Sequence, residues 1–325
     1  MTISDVTNKA QNILETLEQA IIGKRRFLEL LLVGVLADGH LLLEDLPGLA
    51  KTLTAKTLAK ALGLDFKRIQ FTPDLLPSDV TGTHIFNPKT TAFELKTGPV
   101  FTQLLLGDEI NRAPPKTQAA LLEAMQEGQV TLDGQALPLP QPFIVLATQN
   151  PIEYEGTFPL PEAQVDRFLM RLEIGYPAPE HEVEMLRRRR QRRQEAVRVE
   201  PVADAETLLE MRQTLESVFI DPDLERYMVE LVVTTRHNPH IHVGASPRGT
   251  LALMKLSRAH AALNGRAFVL PDDVKQVAVP ALAHRIILEP DLWLKPRAAS
   301  QTIEDILARV PVPKIQSPVW NPDVA

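Results

Sequence analysis

The sequence predicts an α/β protein: a parallel sheet held between helices, followed by a second, all-α domain. Three observations carry that reading. Short apolar runs alternate with amphipathic helical segments through the first half. Polar residues gather where the apolar runs stop, and after Gly175 the pattern turns helical.

Along the chain, Ile13, Leu14, Leu17 and Ile21, then Leu28, Leu31, Leu32 and Val35, recur at helical spacing on either side of Gly23, so two helices are expected. His40-Leu41-Leu42-Leu43 reads as a short strand, and Ala55, Leu58, Ala59 and Leu62 share one face of the helix that follows. Further strands are expected over residues 66–71, 100–106 and 143–148, with a helix over residues 117–127. Strands that are unbroken apolar runs belong to a sheet covered on both faces. Two segments depart from alternation and read as hairpins: residues 82–99, turning at Asn87–Thr91, and residues 129–142, turning at Asp133-Gly134.

Residues 1–176 are therefore expected to form the αβα core, and residues 177–200 a charged linker helix. Residues 201–288 would form an all-α domain, and residues 289–325 a proline-containing tail lying extended on the surface. The linker carries Arg187–Arg190, Arg192 and Arg193 among Glu180, Glu182, Glu184 and Glu195, without aromatic residues between them, which describes a solvated helix more than a nucleic-acid surface. His237, His240 and His242 sit around Pro239 in a loop with no evident fourth ligand, a poor zinc site.

The 325 residues are 44% hydrophobic and 23% charged, enough apolar surface for a sizeable core. The 35 basic against 41 acidic side chains give a net charge of −6, so no general attraction to nucleic acid or anionic lipid is expected. Cysteine is absent, which excludes disulfides, thiolate metal sites and a cysteine nucleophile. The most apolar stretch, residues 27–43, is broken by Glu29, Asp38 and His40, and the beginning of the sequence lacks a signal-peptide pattern. A cytoplasmic protein without membrane insertion is expected.

The chemistry is concentrated at the strand ends. Asp45-Leu-Pro-Gly-Leu-Ala-Lys51-Thr52, between a strand and a helix, has the layout of a phosphate-binding loop, where backbone N–H groups hold phosphate oxygens, Lys51 reaches the terminal phosphates and Thr52 ligates Mg²⁺. Asp45 and Ala50 replace the two glycines of the usual pattern, and Ala50 is expected to fit only with a negative φ. Asp108-Glu109 ends the next apolar strand. There Asp108 can hold Mg²⁺ through water while Glu109 orients and deprotonates an attacking water. Gln149-Asn150-Pro151 ends another strand, and the neutral amide of Asn150 can hydrogen-bond that water without competing for the cation. Arg167 follows a short helix of the core. Arg248 opens a helix of the α domain behind the cap Ser246 and Pro247. Each arginine alone also suits a surface salt bridge; beside these motifs each suits a phosphoryl group gathering negative charge.

Taken together, the segments 44–52, 104–115, 147–151, 160–168 and 244–248 resemble the Walker A, Walker B, sensor 1, arginine-finger and sensor 2 segments of an AAA+ ATPase of the MoxR family. This family lies within the group that carries an extra hairpin in helix 2 and includes the magnesium chelatase ATPase subunits. The resemblance runs over residues 20–288 and implies a P-loop AAA+ core with a C-terminal all-α lid.

By position it implies that Ile22 and Gly23 pack on adenine and that Pro47, Gly48, Leu49, Ala50, Lys51, Thr52 and Leu53 bind ATP or ADP. Thr52 and Asp108 would hold Mg²⁺, Asp108 through water; Glu109 is the catalytic base and Asn150 sensor 1. Arg167 would act on the neighbouring subunit's nucleotide, and Arg248 would be sensor 2 from the lid. It also implies a homo-oligomeric, hexameric ring acting chaperone-like with a von Willebrand factor A-domain protein to mature enzymes or complexes, in some relatives by metal insertion. Two other classes stay open at this point, a nucleotide-gated scaffold that hardly hydrolyses and a helicase-like nucleic-acid motor.

Overall fold

The computed structural model describes residues 1–150, 156–195, 197–292, 295 and 297–313. Pro151 and, in the tail, residues 293, 294, 296 and 314–325 lie outside them.

Two helices, α1 (Ile3–Glu18) and α2 (Arg25–Leu36), precede the sheet. Thr2 caps α1 reciprocally with Asp5, a capping box that satisfies two orphan amides. The core continues as β1 (Leu41–Glu44), α3 (Lys51–Ala61), β2 (Phe66–Gln70), a short α4 (Pro77–Thr81), the hairpin β3 (Gly82–Asn87) and β4 (Ala92–Thr97), β5 (Leu104–Asp108) and α5 (Pro115–Glu127). A second hairpin, β6 (Gln129–Leu132) and β7 (Gln135–Pro138), leads to β8 (Ile144–Gln149), α6 (Glu162–Val165) and β9 (Met170–Leu172). The five-stranded sheet has the order β2-β5-β8-β1-β9, and every pairing in it is parallel. Asp133 and Gly134 both have positive φ, the geometry that matches the twist of a two-residue hairpin.

Side chains alternate across each strand, and here the alternation divides two cores. Leu41, Leu43, Leu104, Leu106, Ile144 and Leu146 enter one cluster; Leu42, Leu105, Val145 and Ala147 enter the other, against Leu121 and Leu122 of α5. Each fully buried leucine contributes roughly 1.5–3 kcal/mol by leaving water. The first cluster continues without a break through Ile13, Leu17 and Leu28 into Leu253 and Leu256.

The last two residues belong to the C-terminal region, which opens with the charged helix α7 (Pro179–Arg192) and continues with α8 (Ala205–Leu215), α9 (Pro222–Arg236), β10 (Ile241–Val243), α10 (Pro247–Leu263), α11 (Pro271–Leu282), β11 (Ile287–Leu288) and α12 (Ala298–Arg309). Helix α10 packs on α1, α2, α8, α9 and α11. The region is helical as expected, with one short antiparallel pairing of β10 and β11. One expectation is corrected. The tail beyond Pro290 is not simply extended: α12 buries Ile303 and Ile306, and Val310 just beyond it, and packs on α9 and α11. Those residues follow helical spacing, and the neighbouring prolines bound the helix instead of interrupting it.

His40 ties the start of the sheet together. Its Nδ1 accepts from the Val145 N–H at 3.0 Å and its Nε2 donates to the Met125 carbonyl at 2.9 Å, so the ring is neutral. Desolvation of the largely buried ring pulls its pKa down from 6.5 to about 4. Because the folded value lies below the unfolded one, this stabilisation is complete above pH 6.5 and is lost as pH falls from 6.5 towards 4, up to about 3 kcal/mol. Buried His284, also shifted well below 6.5, acts in the same direction. Urea melts should therefore show stability falling over that window, with a shallower fall in His40→Gln; an unchanged slope in the variant would contradict the assignment.

Candidate active site

Since the strands are parallel, their carboxyl ends share one edge of the sheet. The loop after β1 and the ends of β5 and β8 meet there because β8 lies between β1 and β5. In such sheets ligands bind outside this edge, where successive connections leave to opposite sides.

The loop from Asp45 to Ala50 is fixed from below. The Asp45 carboxylate accepts from the backbone N–H groups of Ile174 at 2.7 Å and Gly175 at 2.6 Å, and from its own neighbour Leu46 at 2.8 Å. An aspartate at the first glycine position thus joins the loop to the chain leaving β9, a role the linear motif does not disclose. Ala50 immediately precedes α3 with φ 60° and ψ 19°, so the expectation of a negative φ is overturned. The loop imposes a left-handed turn at this point, and alanine accepts a strain of about 1–2 kcal/mol that glycine would avoid. Lys51 begins α3 and its Nζ donates to the Asp45 carbonyl at 2.5 Å. Burial lowers its pKa, against the attraction of Asp45, Asp108 and Glu109.

Asp108, buried, and Glu109, half-buried, stand across from this helix start. Thr52 Oγ1 lies 3.5 Å from Asp108 Oδ2. Thr148 at the end of β8 binds both acids' positions together: its hydroxyl donates to Asp108 Oδ1 at 2.6 Å and accepts from the Glu109 N–H at 2.8 Å. Glu109 has φ 57°, turning its side chain out of the strand direction, where Gln70 at 2.7 Å and Arg112 at 3.1 Å hydrogen-bond to Oε2. Arg68 of β2 reaches Asp108 Oδ2 through Nη2 at 2.6 Å and Nε at 3.1 Å. Arg68, Gln70, Arg112 and Thr148 were not singled out from sequence. Their relevance follows from β2 and β8 flanking β5, which no local pattern encodes. Asn150 is buried immediately after β8.

The hard-oxygen pair of Thr52 and Asp108 suits Mg²⁺, which takes one or two protein oxygens and completes its shell with water and phosphate. A cavity of about 450 Å³ beside the loop is lined by Ile22, Leu49, Ala50, Leu53, Tyr176 and Leu186, an apolar slot fit for a purine base. Gly48 also lines it, whereas Pro47 is exposed on the loop. Gly23, between the lining residues Ile22 and Lys24, does not itself line the slot; the His181 ring of α7 presses on it so closely that a Cβ would lie 2.2 Å from Nδ1. Helix α7, expected to be only a solvated linker, therefore contributes Leu186 and Met185 to this wall. Of its arginines, Arg188 bonds to Glu184 and the Glu18 carbonyl, Arg189 to Glu195, and Arg192 to the Gln194 and Glu195 carbonyls. Among the described residues no cluster of His, Asp and Glu is placed to hold a metal ion by itself; His242 faces Glu289 at 3.4 Å.

Arg167 and Arg248 are not brought to this edge. Both line a cavity of about 240 Å³ with Asp38, His40 and Met125, at the amino end of β1 and the far end of α5. Arg167 Nη1 donates to the Leu122 carbonyl at 2.9 Å, and Arg248 Nη1 lies 4.0 Å from Asp166. Ser246 caps α10 by accepting from the Arg248 N–H. The two guanidinium groups thus share one edge of the sheet, opposite Lys51, Asp108 and Glu109.

Comparison with known proteins gives the same outline. The model of the ATPase family associated with various cellular activities (AAA) matches residues 40–170, and the AAA lid domain matches residues 233–309. The chaperone MoxR1 of Mycobacterium tuberculosis is 41% identical over 92% of this chain and 81% of its own length. The uncharacterized protein YeaC of Bacillus subtilis is 47% identical over 94% and 95%. A crystal structure of a candidate ATPase from Cytophaga hutchinsonii superposes with a TM-score of 0.89 at 44% identity, covering 96% of this chain and 97% of that one. No helix among the described residues is long and apolar enough to cross a membrane. Matched in the nucleotide-binding core, in the lid and across nearly its whole length, this chain belongs to the MoxR family of AAA+ ATPases.

Proposed function

We propose that the protein hydrolyses ATP with Mg²⁺ at sites completed between the subunits of a ring. The observation that carries this reading is the division of the constellation between two edges of one sheet. Lys51, Thr52, Asp108, Glu109 and Asn150 occupy the carboxyl edge, Arg167 and Arg248 the other. A guanidinium on the far side of its own sheet serves a phosphate only on another copy, so hydrolysis depends on assembly. This differs from a lid arginine closing on its own subunit's nucleotide: Arg248 joins Arg167 in the neighbour's site.

In that site the base enters the slot beside Ile22 and the phosphates lie on the amides at the start of α3, with Lys51 released from the Asp45 carbonyl to the terminal phosphates. Thr52, and Asp108 through water, would hold Mg²⁺, which would supply charge neutralisation to the phosphate oxygens. Glu109 takes a proton from the attacking water, which Asn150 orients. Thr148 keeps Asp108 and Glu109 in register. Arg68 holds the Asp108 oxygen that faces Thr52. A hexameric ring in the cytoplasm, with a von Willebrand factor A-domain partner and a chaperone-like action on clients that in some cases includes metal insertion, completes the reading; it rests on the family resemblance and on the chaperone name of MoxR1. The exposed Phe86 and Phe93 of the β3–β4 hairpin are suited to touch such a client.

Three measurements test it. Phosphate release by Glu109→Gln should fall at least 100-fold while ATP binding by calorimetry persists; unaltered turnover would remove Glu109 as base. Lys51→Ala should lose ATP binding itself, and retention of full affinity would displace the phosphates from this loop. Mixing Arg167→Ala with Glu109→Gln subunits should recover activity that neither has alone. No recovery in verified mixed assemblies would exclude shared sites.

A further inference from the structure

Residues next to the finger are held by the lid in an unusually complete way. Arg285 follows α11, and its side chain is only 2% exposed. Its Nη1 donates to the Asp166 carbonyl at 2.7 Å and also to the Asp166 carboxylate, and its Nη2 donates to the Phe168 carbonyl at 2.7 Å. Its Nε donates to the Ala281 carbonyl of α11 at 2.7 Å, so the guanidinium is anchored to the preceding helix while it grips the segment on both sides of Arg167. His284 adds a 3.0 Å bond to the same Phe168 carbonyl. From the other lid helix, the Ser246 hydroxyl that caps α10 donates to Asp166 Oδ2 at 3.0 Å, with Arg248 beside it. One carboxylate is therefore shared by α10, α11 and the finger segment.

A buried cation is costly even when paired, and an apolar residue of similar size commonly serves stability as well. What the apolar residue cannot do is fix two carbonyls and a carboxylate at once. The planar fork of arginine does so, and lysine, a point charge, does not. We infer that Arg285 and Asp166 form a positioning pair that sets the Arg167 finger and binds it to the lid, so that a lid movement in one subunit is delivered to the nucleotide of the next. This rests on the reading of Arg167 as acting on a neighbouring subunit. Neither Arg285 nor Asp166 touches the nucleotide; both act through Arg167.

The test uses full-length Arg285→Lys and Asp166→Asn, the second preserving shape if the first fails to fold, with assembly checked by sedimentation. Displacing a positioned group by about 1 Å costs up to roughly 100-fold in rate. Each variant should lose roughly 10- to 100-fold in kcat with KM for ATP within about twofold, and mixing with Glu109→Gln subunits should restore turnover. That recovery arises because the Glu109→Gln neighbour lends a correctly held finger to an intact site, a readout that general damage to the fold would not give. Parent-like kcat in both variants overturns the inference. So does a loss that Glu109→Gln subunits fail to restore while they do restore Arg167→Ala. If Arg167→Ala is not restored either, the shared-site reading itself is overturned, and this inference with it.

Discussion

The parallel direction of β1, β5 and β8 is the constraint on which the rest depends. It collects three chain exits at one edge, so residues more than 90 positions apart, Lys51 and Thr148 among them, meet without long excursions. It also sets Arg167 and Arg248 apart from Lys51, Asp108 and Glu109, because the amino edge lies behind the sheet. The proposed sharing of sites between subunits rests on that one topological fact, and the apolar alternation of the strands is what makes the topology stable.

Much of this was readable in the linear order of residues. Runs such as Leu41–Leu43 announce buried strands, and the acids and amides at their ends mark where the carboxyl edge of the sheet lies. The Asp133-Gly134 turn is legible because few residue pairs accept two positive φ values. Arg68 was not legible: its partner Asp108 lies 40 residues away on a strand that becomes a neighbour only after folding. Asp45 was read against a glycine pattern when its purpose is to accept amides from the chain beyond β9. Helix α12 was masked by the prolines around it, although its own apolar spacing is helical.

Electrostatically the site is economical. Asp108 receives a hydroxyl on one oxygen and a guanidinium on the other, and Thr148 has both its donor and acceptor used. Fully satisfied networks of this kind specify a single geometry, whereas a partly satisfied one would leave costly unpaired groups. The loop before α3 is similarly pre-formed by Asp45, which lowers the ordering cost of taking up a ligand there.

The unbroken apolar cluster that joins α1 and α2 to α10 has a practical corollary. Severing the polypeptide near Gly175 would leave Leu253 and Leu256 on one fragment, and Leu17 and Leu28 on the other, facing solvent. Recombinant halves made at that boundary would aggregate. Limited proteolysis there should give nicked but still associated material, so the nucleotide-binding part and the lid are better regarded as one folding unit with two mechanical roles.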